Sequence, residues 1–286
     1  MLELVFKMLK MEDGTPKTVT ERWTELVKST LHEIQLHLGN LQGDLDVKTV
    51  HQLRLAIKRL RVLLAVLRQT DAGRKRTETL QKAANKLFQT AGVLRDAQVR
   101  LALLEGEPAL ELLLPEAQKH VQKAEKQFKA YLKAFEPSAF NFKKPFQSWL
   151  LTLDREVIEN AIWYLKLKYL KQIQVRPGQS KSEYLHSIRT ALKRLVELHK
   201  IRVLIALDER LSEHWETAKS LAQEIGTWHD HHLLDRYMTQ AFRNRKQEES
   251  HKDRVAHRHE VQNSMRQDLE GKIYTWVRLT RQAFLV

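Results

Sequence analysis

Apolar residues recur at intervals of three and four positions along nearly every long segment of this chain of 286 residues. This spacing is the period of an α-helix, whereas alternation at every second position, which would indicate strands, is rare. Only nine glycines and six prolines interrupt the pattern. We therefore predict an all-α fold.

Capping residues divide the first half into four predicted helices. Thr18 begins the first, and Glu21 completes a capping box with it. Asp46 is suited to cap the second helix, and Gly73 to provide the left-handed residue after it. The predicted helices span about 18–40, 46–73, 75–104 and 115–135.

The helical pattern restarts after a connector at residues 136–145. Three features recur in the same order at an offset of 135 or 134: residues 18–38 with 153–173, His51 with His186, and the trio Gln89, Gly92 and Asp96 with Gln223, Gly226 and Asp230. Three separated matches at nearly one offset indicate two tandem repeats. The predicted organisation is an N-terminal extension (1–17), helical repeat 1 (18–140) and helical repeat 2 (141–286).

The recurring trio suggests a structural role. Its three members share one helical face in each repeat. A glycine inside a helix costs about 1 kcal/mol relative to alanine, so its recurrence indicates close helix packing. We expect Asp96 and Asp230 to orient neighbouring basic side chains by hydrogen bonding.

Composition adds an electrostatic bias to this fold. Lysine and arginine number 49 against 35 aspartates and glutamates, for a formal net charge of +14. Such an excess favours nucleic acid, phosphate polymers or acidic membrane surfaces as partners. The absence of cysteine excludes disulfides and thiolate metal sites. No run reaches the roughly 18 apolar residues of a membrane span, and no secretion signal is apparent, so we expect a cytoplasmic protein without membrane insertion.

The positive charge is concentrated on two helical stripes. In the second predicted helix, basic residues spaced by three and four project from one face and leucines from the opposite face. From residue 48 to 76, nine lysines and arginines face Asp71 alone, a balance of +8. The predicted ligand-binding residues are His51, Arg54, Lys58, Arg59, Arg61 and Arg68 in repeat 1, and His186, Arg189, Lys193, Arg194 and Lys200 in repeat 2. Mutual repulsion within each stripe predicts a polyanionic partner.

A further lysine stripe follows the fourth predicted helix. Its members lie opposite an apolar face that includes Phe128. Such stripes are common on amphipathic helices, so this one gains interest only beside the first. The predicted ligand-binding members are Lys119, Lys123, Lys126 and Lys133, and Lys129 shares their face.

Two blocks carry a resemblance to a known family: His51-x-x-Arg54-x-x-x-Lys58-Arg59-x-Arg61 and His186-x-x-Arg189-x-x-x-Lys193-Arg194, each followed by a segment ending Gly-x-x-x-Asp. Val93-Leu94-Arg95-Asp96 adds a leucine-arginine-aspartate motif. Together they resemble the conserved histidine α-helical domain (CHAD) family, from about Thr18 through nearly the whole chain.

The resemblance implies both a fold and a ligand. The fold would be two four-helix bundles related by a pseudo-twofold axis, with basic helices lining a central channel that binds inorganic polyphosphate. Some relatives carry a catalytic triphosphate-tunnel domain with a glutamate-x-glutamate-x-lysine signature, but Glu3-Leu4-Val5-Phe6-Lys7 lacks the second glutamate. The chain thus resembles a stand-alone, non-catalytic member that needs no cofactor, in the cytoplasm and at polyphosphate granules.

The second repeat departs from the first in its charges. Val196 stands in place of Arg61, Glu197 lies close to the line of the stripe, and His229 replaces Arg95. From residue 181 to 202, six bases oppose two acids, a balance of +4. We therefore predict an asymmetric site in which the first repeat dominates affinity.

Three other functions remain open at this stage. One is an acidic-membrane or protein scaffold formed by residues 243–258, where six bases face three acids. The same net charge fits nucleic acid or polyanions in general, although the tryptophans do not interleave with the stripes as stacking platforms would. His229-Asp230-His231-His232 superficially resembles the His-Asp pair of metal-dependent phosphohydrolases. Since Asp230 matches Asp96 of the first repeat but His229 does not recur, we rank this alternative lower. Preferred chain length, oligomeric state and the role of the histidine-rich segment 229–259 do not follow from the sequence.

Overall fold

The computed structural model describes residues 17–41, 43, 45–173, 181–206, 213–245 and 249–284. Within these ranges the chain forms nine α-helices and two short 3₁₀ helices without any strand, so the predicted all-α fold is confirmed. The α-helices are α1 (Val19–Asn40), α2 (Val47–Leu67), α3 (Gly73–Glu105), α4 (Leu114–Ala134), α5 (Lys144–Leu151), α6 (Arg155–Gln172), α7 (Lys181–Ala206), α8 (Glu213–Arg245) and α9 (Glu249–Phe284). The 3₁₀ helices are Pro108–Leu113 and Pro137–Phe140.

Both predicted N-caps are present. The Thr18 hydroxyl accepts a hydrogen bond from the Glu21 amide, and the Glu21 carboxylate accepts one from the Thr18 amide at 2.7 Å. The Asp46 carboxylate accepts hydrogen bonds from the amides of Lys48 and Thr49, each at 2.9 Å. These contacts satisfy amides that a helix start leaves without intrahelical partners.

The predicted end of the second helix is wrong in one respect. Helix α2 ends at Leu67, and Ala72, not Gly73, takes the left-handed conformation, with φ of 58°. Gly73 instead begins α3, where an added β-carbon would lie 1.8 Å from the carbonyl oxygen of Leu67. Glycine is required here by a close backbone approach rather than by its dihedral freedom.

The described residues fall into two compact units that draw on interleaved parts of the chain. Unit 1 comprises the described residues within the ranges Met1–Arg95, Lys123–Tyr169 and Glu197–Arg210, and unit 2 those within Asp96–Gln122, Leu170–Val196 and Leu211–Val286. Four long helices precede α5 in the described chain and four follow it. The repeat boundary at 140 and 141, the pseudo-twofold axis and the channel stay predictions. Apart from Lys17, the predicted N-terminal extension lies outside the described residues.

Each unit has its own apolar core. In unit 1, α1 packs against α2 and α5, and Trp23 and Phe140 are fully buried. The guanidinium of Arg22 is also buried and donates to the carbonyl of Ile205 at 2.8 Å. In unit 2, α8 packs against α9, and Leu104, Leu113 and Met238 belong to a buried cluster. None of the described helices has the length and apolarity to cross a bilayer.

Candidate polyanion-binding site

Helix α2 presents the predicted basic stripe on one side and a buried apolar stripe on the other. Leu53, Leu60, Leu63 and Leu67 are fully buried, which fixes the rotation of the helix about its axis. On the opposite side His51 is exposed, and Arg54, Lys58 and Arg61 are partly buried. The helical period therefore identified the face correctly.

Two arginines of this stripe share one aromatic ring. The guanidinium carbon of Arg54 lies 4.3 Å from the centroid of the Phe88 ring, and that of Arg61 lies 4.5 Å from the same centroid. The two guanidinium groups are thus within about 9 Å of each other. Contact with the ring face stabilises each cation, but two unit charges at this separation still repel by at least about 0.5 kcal/mol in a water-like medium.

Gly92 makes room for the first of these arginines. Arg54 Nη1 donates a hydrogen bond to the carbonyl of Phe88 at 2.8 Å. An added β-carbon on Gly92 would lie 2.7 Å from the same nitrogen, closer than real β-carbons approach. Gly92, which the sequence assigned to helix packing, therefore accommodates the Arg54 side chain where it lies across α3.

Arg59 occupies a different environment. Its Nη1 donates to Glu33 at 2.8 Å and its Nε donates to Glu197 at 3.3 Å. Two partly buried carboxylates thus neutralise this guanidinium inside unit 1. This geometry does not favour Arg59 as a ligand-binding residue, although it was predicted to be one. We assign Arg59 a structural role, because its ion pairs connect α2 with α1 and α7.

The stripe on α7 adjoins a histidine and an aspartate of α8 within unit 2. The rings of His186 and His229 lie 5.2 Å apart, and Arg189 Nη2 is 4.0 Å from Asp230 Oδ1. An added β-carbon on Gly226 would lie 3.7 Å from Arg189 Nε and 3.8 Å from Lys193 Nζ. A basic side chain of one helix therefore lies over a glycine of the next here too, with a looser fit than at Gly92.

Burial and neighbouring charges shift the pKa values of this cluster. Burial lowers the pKa of His186, and His229, Arg189 and Lys193 lower it further because each opposes a new positive charge. Burial raises the pKa of Asp230, but the neighbouring His229, with Nδ1 3.5 Å from Asp230 Oδ1, and the charge of Arg189 outweigh that effect, so the pKa is lowered. Burial lowers the pKa of Arg189, against the opposing influence of Asp230 and Asp96. Both aspartates of the recurring trio thus act on the α7 stripe.

The remaining predicted residues lie at the surface or partly buried. Arg68 caps the C-terminus of α2, and Arg194 and Lys200 are partly buried on α7. The glutamines of the two trios, Gln89 and Gln223, are exposed. The lysines of α4 are all exposed, opposite buried Ala124 and Phe128: Lys119, Lys123, Lys126, Lys129 and Lys133.

The histidine-rich segment of α8 sends its rings to separate neighbours. The His232 ring stacks on Trp228 at 5.1 Å, and His231 Nδ1 lies 3.3 Å from Arg258 Nη2. Across the part of the chain that the structure describes, no group of three or more histidine, cysteine, aspartate or glutamate side chains is arranged to hold a metal ion.

Phe88 and Glu33 were not among the predicted site residues, and Glu197 was predicted only to lie close to the line of the α7 stripe. Phe88 precedes Gly92 by four residues, so helical spacing placed it on the same face and could have identified it. The partners of Arg59 lie 26 and 138 positions away in the chain, and no local pattern indicates them.

Comparison with known proteins gives a consistent assignment. A model of the CHAD domain family matches residues 25–239. The crystal structure of the CHAD domain from the plant Ricinus communis has 17% sequence identity and a TM-score of 0.64, and the match covers 91% of this chain and 92% of that one. PptA from Streptomyces chartreusis has 13% identity and a TM-score of 0.64, with 92% and 100% covered.

At such identities these two likenesses establish the fold alone. Comparison with curated proteins gave no match. The family model, however, spans well over half of the chain and includes α2, both recurring trios and the α7 stripe. On this ground the chain belongs to the CHAD domain family.

Proposed function

We propose that this protein binds inorganic polyphosphate without catalysis, through the basic stripes of α2 and α7. The observation that carries the proposal is the pair Arg54 and Arg61 on the Phe88 ring. Two guanidinium groups held this close on a partly buried surface gain most from a ligand with closely spaced negative charges.

The chemistry of polyphosphate matches this surface. Each phosphate residue carries about one negative charge and no base, so recognition depends on charge and on hydrogen bonds to oxygen. Arginine forks bind phosphate oxygens bidentately, and lysines such as Lys58 and Lys193 act as point charges. Release of counterions on binding makes the affinity fall with salt concentration, by analogy with phosphate contacts in nucleic acids.

Nucleic acid is a weaker candidate because the described stripes lack exposed aromatic side chains on which bases could stack. Trp23, Trp149, Trp228 and Trp276 are buried. Trp163 is 50% exposed, but it lies on α6 outside both stripes. Phe88 is partly buried under two guanidinium groups.

The proposal is tested by calorimetric titration with long-chain polyphosphate at two salt concentrations. The test variant is Arg54→Ala combined with Lys58→Ala. We expect affinity to fall at least about tenfold and the slope of log affinity against log salt to become shallower by about 1.5. The helical circular-dichroism spectrum should be unchanged.

A control variant that loses the same number of positive charges distinguishes binding at a specific site from attraction to the net charge of the protein. Lys82→Ala combined with Arg155→Ala also removes two cations, from surface ion pairs with Glu78 and Glu159. This control should change affinity less than about twofold. Equal weakening by both double variants, or equal displacement of polyphosphate by duplex DNA at the same phosphate concentration, would identify a generic polyanion binder instead.

A cytoplasmic location at polyphosphate granules is part of the same proposal. The ligand is what would bring the protein to a granule, since granules concentrate polyphosphate. Fluorescence microscopy of the tagged protein should therefore show granule foci for the wild type and for Lys82→Ala with Arg155→Ala. Foci that persist in Arg54→Ala with Lys58→Ala would show that another contact recruits the protein.

A further inference from the structure

Helix α6 carries apolar residues on both its inner and its outer side. The inner side is buried in unit 1 through Ile158, Ala161, Ile162, Leu165 and Tyr169. On the outer side, Trp163 and Tyr164 are about half exposed, and Val157 and Leu167 are about two-fifths exposed. At about 100° per residue, the outer four fall within a sector of about 120° and form what we call the α6 face. Helices that are apolar all round are normally covered on every side, so the α6 face indicates a further partner.

The α6 face is bordered by positive charge. Lys166 Nζ lies 5.0 Å from the centroid of the Trp163 ring, and Lys168 is exposed one turn after Tyr164. Burial and, to a smaller extent, the charge of the exposed Arg202 on α7 lower the pKa of Lys166 to about 8. Both effects oppose the cationic form of Lys166, and a nearby anion would favour it. The border therefore favours a negatively charged partner.

Acidic side chains of α6 are confined to its first two turns. Glu156 and Glu159 lie there, and Glu159 accepts a hydrogen bond from Arg155 Nε at 2.8 Å. Residues 160–169 contain three lysines or aromatic rings for every polar amide and no aspartate or glutamate. The part of the helix that presents Trp163 thus has no acid of its own to neutralise the cations.

The size of the α6 face argues against a protein partner. With 18 residues, α6 is about 27 Å long and about 10 Å wide, so its outer side offers about 270 Å². Stable protein interfaces bury about 800 Å² on each partner. The outer side of a single helix is also convex and gives no groove for a peptide helix.

A membrane surface requires neither a groove nor so large an area. Tryptophan and tyrosine are enriched where a bilayer meets water, because their rings are apolar and each carries one polar group. Lysine and arginine place their apolar stems along the lipid and their charges among the headgroups. None of the described helices can span a bilayer, so the contact expected here is with the membrane surface.

We propose that the α6 face binds the surface of membranes that contain anionic lipids. The helix lies in the plane of the membrane, with Trp163, Tyr164 and Leu167 among the lipid headgroups. Lys168 and Arg202 meet the lipid phosphates. None of these residues belongs to either basic stripe, so the inference does not depend on polyphosphate binding.

The test uses the full chain and vesicles of phosphatidylcholine with about 30% phosphatidylglycerol, sedimented with the protein. We expect saturable binding that falls as salt is added, and at least tenfold weaker binding to vesicles of phosphatidylcholine alone. Brominated phosphatidylcholine in the mixed vesicles should quench Trp163, which is the most exposed tryptophan among the described residues.

Two pairs of substitutions separate the α6 face from general stickiness. Tyr164→Gln with Leu167→Gln should weaken vesicle binding at least fivefold and keep the fold, because both side chains are exposed. The matched control is Tyr274→Gln with Leu279→Gln on α9, which changes the same residue types at exposed positions. This control should change vesicle binding less than about twofold.

A third double variant tests the cationic border. Lys168→Gln with Arg202→Gln should weaken vesicle binding at least threefold and make it less sensitive to salt. Arg54→Ala with Lys58→Ala, which changes the α2 stripe, should leave vesicle binding within about twofold.

Several results would overturn the inference. They are absence of binding to anionic vesicles, equal losses in the α6 and α9 glutamine variants, and tryptophan fluorescence that brominated lipid leaves unchanged. The face would belong to another partner if Tyr164→Gln with Leu167→Gln weakened the binding of single-stranded DNA, or self-association in analytical ultracentrifugation, without weakening the binding of vesicles.

Discussion

Gly92 and Arg54 are in such close contact that the Arg54 side chain can lie in its place only because Gly92 has no side chain. A β-carbon at position 92 would approach Arg54 Nη1 to 2.7 Å, while that nitrogen donates to the Phe88 carbonyl at 2.8 Å. The glycine thus holds open the place where the guanidinium lies. The relationship connects a helix-packing feature directly to the proposed binding surface.

Gly92→Ala should impair binding while leaving stability almost unchanged. The guanidinium must move away and lose its hydrogen bond, which costs about 1 kcal/mol, whereas alanine favours the helix by a similar amount. We expect polyphosphate affinity to fall about three- to tenfold in calorimetry. The midpoint of urea unfolding should stay close to that of the wild type.

Gly226→Ala is the matched substitution in α8. The nearest side-chain atoms would be at 3.7 and 3.8 Å, ordinary van der Waals distances. Alanine should therefore raise the free energy of unfolding by up to about 1 kcal/mol and leave binding unaffected. Loss of binding in this variant would contradict our account of why Gly92 matters.

Arg59→Met should affect stability more than ligand binding. It removes the partner of Glu33 and Glu197 and leaves two partly buried carboxylates uncompensated. We expect the free energy of unfolding to fall by about 1–2 kcal/mol and the affinity for polyphosphate to change less than twofold. A tenfold loss of affinity with unchanged stability would return Arg59 to the binding surface.

The α2 stripe should contribute more affinity than the α7 stripe. Arg61 and Phe88 of the first repeat correspond to Val196 and Ala222 in the second, so the second stripe lacks both the cation and its ring. Arg54→Ala with Lys58→Ala should therefore weaken polyphosphate binding several-fold more than Arg189→Ala with Lys193→Ala. Titration of the two double variants side by side measures the difference, and equal losses would show a symmetric site.

Mild acid should tighten binding through His186. Its pKa lies below the ordinary value of about 6.5 because burial, His229, Arg189 and Lys193 oppose protonation. A bound polyanion favours the protonated form of His186 and so raises its pKa. Binding therefore takes up protons, and the affinity rises as the pH falls from about 7 to 5.5. Calorimetry at pH 6 in buffers of different ionisation enthalpy detects this uptake, and His186→Gln should reduce it.

Without ligand, the lowered pKa of His186 makes the folded protein less stable in mild acid. Between the folded and unfolded pKa values the unfolded chain binds more protons, so His186 lowers stability as the pH falls through about 6.5. Urea unfolding at pH 7 and at pH 5.5 should show a smaller loss of stability in His186→Gln than in the wild type. An equal loss would mean that other groups determine the acid sensitivity.

Ala72→Gly should stabilise the turn between α2 and α3. Ala72 has φ of 58°, which costs an alanine about 1 kcal/mol and a glycine almost nothing. The greater flexibility of unfolded glycine offsets part of this gain. We expect the free energy of unfolding to rise by up to about 0.5 kcal/mol, whereas Gly73→Ala should lower it by several times that amount because of the Leu67 oxygen.

Features that depend on local chain geometry were predictable from the sequence. The caps at Thr18 and Asp46 follow from hydrogen bonds over two or three residues, and the face of Arg54 follows from the helical period. The left-handed conformation of Ala72, in place of Gly73, was not predictable from the sequence. It depends on how close the first residue of α3 lies to the last residue of α2.

Features of the site that depend on distant residues were not predictable. The spacing of Arg59 resembles that of its neighbours, but only the folded chain brings Glu33 and Glu197 to it. Helical spacing places Phe88 on the face of Gly92, but it does not indicate that the ring contacts two arginines of α2. That contact joins residues as far as 34 positions apart and requires the packing of α2 on α3. A cavity of about 1130 Å³ in unit 2 is lined by side chains of five helices and has no counterpart in any local motif.

The buried contact between Arg22 and the carbonyl of Ile205 has a consequence for synthesis of the chain on the ribosome. The arginine emerges 183 residues before its acceptor, and unit 1 requires residues beyond Glu197 for completion. Until that segment leaves the exit tunnel, the guanidinium has to remain hydrated and the first helices cannot close around it. We therefore expect unit 1 to reach its final structure late in translation, although most of its residues are made early.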